Sequence, residues 1–133
     1  MSSFIDEHKL VSELAFAVRD RVREICRSLP EAEEKIDGMG HTVFKVRAKT
    51  FVILSEGVQG GGGRCFIKCD KETQQLLIHK GPYVRAPYLG HHGWVMIHCK
   101  DIADWDEFDE LVKEAYLRSA PKKLVEAYLG KGR

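Results

Sequence analysis

Lys45, Arg47, Lys49, Arg64 and Lys68 set five cations close together in the chain, with Phe66 among them. Positive charge interleaved with an aromatic ring suits nucleic acid, whose phosphates need neutralising and whose bases stack. The plainer reading is a solvated sheet face, because open antiparallel sheets turn polar residues to water. The other residues that could do chemistry exclude more than they offer. The run Gly60 to Gly63 leads into Arg64-Cys65-Phe66-Ile67, a strand pattern. A phosphate loop would need a helix start and Gly-Lys-Ser/Thr there, so the run reads as a mobile hairpin loop with Arg64 at its base.

Metal and nucleophile chemistry find little support. His91-His92 and His98-Cys99 are adjacent pairs, which on a strand point to opposite faces. No Cys-x-x-Cys or His-x-x-x-His spacing occurs, so no metal is expected. Cys65 and Cys69 share a strand face but stand about 13 Å apart, too far for a disulfide. With Cys26 and Cys99 they read as reduced, buried, small apolar residues. There is no Gly-x-Ser-x-Gly elbow. The carboxylates Asp104, Asp106, Glu107, Asp109 and Glu110 open a helix and suit its dipole. No catalytic residues and no cofactor are expected, so the chain does not read as an enzyme. A small-anion pocket near Tyr83, Arg85, Tyr88, His91, His92 and Trp94 is a weaker alternative, since core packing of Tyr88 and Trp94 explains that cluster more simply.

The elements that must position the basic residues follow from periodicity. Val11, Leu14, Val18, Val22, Ile25 and Leu29 recur at helical spacing and predict an amphipathic helix over about 7–28, stopped before Pro30. Strands follow at Glu33–Ile36, His41–Val46, Phe51–Ser55 and Arg64–Cys69, joined by short links as in an antiparallel meander. Asp70 caps a helix over Lys71–Lys80, and Gly81-Pro82 ends it. A loop leads to a last strand, Trp94–Cys99. Asp104 and Glu107 then open a helix with Trp105, Phe108, Leu111, Val112 and Ala115 on its apolar side. Leu124, Val125, Tyr128 and Leu129 make a short terminal helix ending at Gly130. Segregated strands and helices predict an α+β fold, an antiparallel sheet of about five strands with helices on one face. Strand alternation puts Val43, Lys45 and Arg47 opposite Phe44 and Val46, and Arg64, Phe66 and Lys68 opposite Cys65, Ile67 and Cys69.

The 133 residues fit one domain spanning 1–133, with 44% hydrophobic and 31% charged residues, a globular balance. No apolar run approaches a membrane span and no leader pattern is evident, so the expected location is cytoplasmic. The net charge of +1 conceals a pattern: residues 41–100 hold nine Lys/Arg against three Asp/Glu, while both flanks are acidic. Such a layout concerns partners, here DNA or an acidic protein.

Several segments in order also carry a family resemblance. These are Leu29-Pro30-Glu31, Phe44-Lys45-Val46-Arg47 before Lys49-Thr50-Phe51, and Ile67-Lys68-Cys69-Asp70-Lys71-Glu72. Ala86-Pro87-Tyr88-Leu89-Gly90 before Gly93-Trp94-Val95 is another, and Asp104 to Lys123 closes the set with Tyr116 and Ala120-Pro121-Lys122-Lys123-Leu124. Over about residues 10–125 the chain resembles the MmcQ/YjbR family. The resemblance implies a two-layer fold similar to CyaY and DNA binding through a double wing of sheet hairpins, with no catalytic residue or cofactor. The corresponding wings are Arg47–Thr50 and Gly57–Arg64, the second longer and richer in glycine than the family pattern.

Overall fold

Ser12 sets the start of the first helix. Its hydroxyl accepts a hydrogen bond from the Ala15 N–H at 3.1 Å, and α1 runs over Glu13–Cys26. The computed structural model describes residues 7–57 and 60–130. Periodicity alone would start this helix near residue 7. The Glu56 carboxylate, however, accepts from the Val11 and Ser12 N–H groups at 2.8 and 2.9 Å, taking donors that a longer helix would use internally. Residues 8 and 9 instead lie beside the end of the third strand, where their carbonyls accept from Glu56 and Gly57. Val11 and Leu14, expected in the core, are exposed and stand against the glycine loop.

The strands are β1 (Ala32–Ile36), β2 (Thr42–Val46), β3 (Lys49–Ser55), β4 (Arg64–Ile67), β5 (Val84–Arg85) and β6 (Val95–His98). The remaining helices are α2 (Lys71–Lys80), α3 (Trp105–Ser119) and α4 (Lys122–Gly130). All neighbouring strands pair antiparallel in the order β1-β2-β3-β4-β6-β5. The sheet therefore has six strands where about five were expected. The extra one is the two-residue β5, too short to leave a periodic trace.

All four helices lie on one face and share a core with it. Phe44, Val46, Phe51, Val52, Leu54, Cys65, Ile67, Val95 and Ile97 from the sheet meet Val18 and Val22 of α1, Leu77 of α2, Phe108 and Val112 of α3 and Leu124 of α4. A bulge between Phe44 and Lys45 sets Lys45 against Thr50 while Phe44 faces Val52. The extra residue, Phe51, thereby enters the core beside Val52 although strict alternation would turn one of them out. The fully buried Tyr116 packs edge-on against Phe51 at 5.8 Å, and its hydroxyl donates to the Pro30 carbonyl at 2.7 Å. One ring thus ties α3 to both the sheet and the exit from α1.

Local caps end the other helices. The Asp70 carboxylate accepts from Thr73 N–H, and Asp104 from Glu107 N–H. No helix among the described residues is long and apolar enough to cross a membrane.

Candidate nucleic-acid interface

The sheet face away from the helices carries its own pattern. Residues paired directly across antiparallel strands share a face. The register runs Val43–Ile53–Phe66–Met96–Val84 from β2 to β5, an apolar band across five strands. Trp94 and Met96 pack there with Ala86, and Ile53, Phe66 and Leu89 lean on them half-buried. The cations border this band. On one side Arg64 pairs in register with Ser55 and His98. On the other, Lys45 pairs with Thr50, and Lys68 follows β4 with its N–H donating to the Phe51 carbonyl.

Each expected residue can now be placed. Lys45, Arg64 and Phe66 share the open-face rows of the register, as strand alternation predicts, whereas Lys68 stands one residue beyond β4, at the end of the sheet where it feels the charges of Lys49 and of Arg118 on α3. Arg64 stacks its guanidinium over the Phe66 ring at 5.5 Å. Among the described residues, Lys45, Lys49, Arg64 and Lys68 form no ion pair. Glu33 stands across from Lys45 on β1, but its carboxylate lies 3.3 Å from Lys35 Nζ. Lys68 is half-buried, and its ammonium is pushed below the ordinary lysine range, first by burial and then by the charges of Lys49 and Arg118. Lys49 is exposed at the start of β3.

Arg47 is placed differently. It sits in the turn after β2 at φ +55° and donates through Nε and Nη2 to both Glu31 carboxylate oxygens, at 2.6 and 3.0 Å. That bidentate pair raises the arginine's pKa and lowers the glutamate's.

The two candidate wings flank β3, as the strand order implies. Seven residues of β3 separate them, so they leave opposite ends of the sheet, about 23 Å apart. The glycine loop, expected to be mobile, is anchored at its described residues. Glu56 accepts from the Gly62 N–H at 2.8 Å through the carboxylate oxygen that its α1 contacts leave free. Burial opposes its charge, but hydrogen bonds from Val11, Ser12 and Gly62 outweigh it and hold the carboxyl below its usual range. A Cβ on Gly63, at φ +87°, would stand 3.0 Å from the Ala15 Cβ, so the loop lies directly on α1. Val58 and Gln59, inside this second wing, lie outside the described residues.

The residues of the alternative anion pocket do not all converge, although the Arg85 side chain lies against Gly90, next to His91. Tyr83 is buried in the helix-side core and Trp94 in the cluster on the opposite face. Tyr88, expected in the core, is 93% exposed at φ +64°. His91 and His92 occupy a single 3₁₀ turn with rings 3.9 Å apart, so strand alternation does not apply to them. All four cysteines are free thiols, and burial pushes the Cys26, Cys69 and Cys99 thiols up to about 12.

Sequence reasoning missed Arg118 beside Lys68, His98 beside Arg64, and the apolar band itself. Arg118 sits on α3, held by Asp70 at 3.2 Å, and nothing local ties it to the sheet. The band is a cross-strand property, legible only once the register is known.

A family model described as YjbR matches residues 27–118. The fold is also similar to the crystal structure of Deinococcus radiodurans protein DR2400, which is assigned to family-model domain DUF419. That similarity has a TM-score of 0.69 at 19% identity and covers 98% of this chain and 92% of the other. A search of curated proteins gives no match.

Proposed function

The chain belongs to the YjbR family, and from that premise we propose that it is a non-enzymatic DNA-binding domain whose open sheet face meets phosphates. The observation that supports this most is the distribution of partners. Arg21, Arg23, Arg47 and Arg118 are matched to Asp109, Glu34, Glu31 and Asp70, and Lys35 at the β1 edge to Glu33, whereas Lys45 and Arg64 on the open face and Lys68 at its end have no such match among the described residues. Unmatched cations on an uncovered face release counterions when they meet phosphates, and that is the source of sequence-independent affinity. Nothing in this arrangement calls for base-specific readout.

The test is titration of labelled DNA at several salt concentrations, with wild type beside a Lys45/Arg64/Lys68→Ala variant. Each phosphate contact contributes about 0.9 to the log–log salt slope on duplex and about 0.7 on a single strand. The triple variant is therefore expected to flatten the slope by about 2 to 3. An unchanged slope removes this face from the reading. If DNA does not bind even at low salt while an acidic polypeptide does, the same face serves an acidic protein partner instead.

A further inference from the structure

We infer that the DNA this face takes is single-stranded, with bases laid on the apolar band around Phe66 and phosphates held at its borders. This rests on the DNA-binding reading above and narrows it. Phe66 is the aromatic ring at the centre of the band, half-buried among Ile53 and Met96 with Arg64 over it. From Val43 to Val84 the band crosses four strand spacings, about 19 Å, with Val43 and Met96 buried and Ile53, Phe66 and Val84 left accessible. Arg64 and Lys68 lie two residues either side of Phe66, about 7 Å away along an extended chain, Lys68 just beyond the end of β4. Arg64 thus stands at one long border, from which it reaches over the Phe66 ring, and Lys45 and Lys68 stand at the other.

That arrangement fits the chemistry of a single strand. Unpaired bases offer ring faces for stacking, and their phosphates lie to the side. A duplex buries those faces in its own stack and presents only phosphates and groove edges. Against it, an apolar strip in mid-site would lie opposite charge and water. The alternative for a duplex is a grip by the two hairpins, and the geometry works against that too. They emerge from opposite ends of β3. Arg47 is engaged by Glu31, and the described flank of the glycine loop is fastened by Glu56 to Gly62 and to the α1 start.

The experiment compares labelled oligo(dT) with a duplex of equal length by anisotropy, using wild type, Phe66→Leu, Phe66→Tyr and Lys45/Arg64/Lys68→Ala. Wild type should bind oligo(dT) more tightly than duplex. Phe66→Leu should weaken oligo(dT) binding by between about five- and 150-fold, the range for one lost stacking contact. Its duplex affinity and salt slope should not change, and Phe66→Tyr should retain binding. Should Phe66→Leu unfold, the wild-type preference and Phe66→Tyr still decide the question. Duplex binding as tight as oligo(dT), an indifferent Phe66→Leu, or equal competition by poly-glutamate would overturn the single-strand inference. If binding is still lost in the triple variant, the broader DNA reading survives that result. Failure of both DNAs to bind wild type would overturn the broader reading as well.

Discussion

Glu56 ties two segments together through one carboxylate: the Val11–Ser12 lead-in to α1, and the glycine loop at Gly62. Replacing it by Gln keeps one acceptor but turns an amide N–H toward backbone donors. Hydrogen bonds to a charged group are worth about 1.5–3 kcal/mol, so Glu56→Gln should destabilise the fold by roughly that much, read as a lower urea midpoint. The pH dependence follows from the lowered carboxyl pKa. The stabilisation is fully present above the ordinary glutamate value of about 4.3 and is lost as pH falls through the lower folded value. Glu56→Gln should therefore lose less stability than wild type on acidification below about pH 4; equal losses would show that Asp37 and Asp70, also lowered, carry the effect. At this scale alternation places Lys45, Arg64 and Phe66 correctly without a structure, whereas Lys68 falls past the end of β4, where alternation no longer rules. The fate of Arg47 is not legible, because Glu31 lies sixteen residues away and reaches it only through the β1–β2 pairing.

Elements closed by their own neighbours were predicted well. Helix α2 begins and ends where Asp70 and Gly81 place it, and α3 opens on Asp104 as its spacing suggests. Elements set by distant residues were not. α1 starts late because Glu56, just past β3, takes its donors, and β5 exists only because β6 offers it an edge. Gly93 belongs to this second kind. It ends the 3₁₀ turn before β6 at φ +97°, and a Cβ there would stand 2.4 Å from the Cys69 carbonyl oxygen. Gly93→Ala should cost at least about 1–3 kcal/mol from backbone strain alone, seen as a lower melting temperature. Gly38, whose Cβ would meet nothing within 4 Å, is the control. Gly38→Ala should leave melting almost unchanged, and equal losses in both variants would refute the steric account.

Across the whole molecule, a net charge of +1 hides two unlike faces. The acidic flanks supply α1, α3, α4 and the edge strand β1, and helix arginines there meet carboxylates; the basic middle segment supplies the other five strands, where Lys45 and Arg64 on the outer face form no ion pair among the described residues. Charge blocks along the chain made that division legible; the apolar band between the cations needed the strand order. The same sheet ends on each side at a strand with free backbone groups. At one border β1 carries Glu33, Glu34 and Lys35, all exposed, and at the other β5 is only two residues long. Bare edges invite another chain to add itself as a strand, and charge or brevity discourages it. The outer charges of β1 thus guard against polymerisation. A Glu33/Lys35→Thr variant, which leaves the Arg23–Glu34 pair in place, is expected to keep the fold yet scatter light increasingly with concentration, more than the parent chain does.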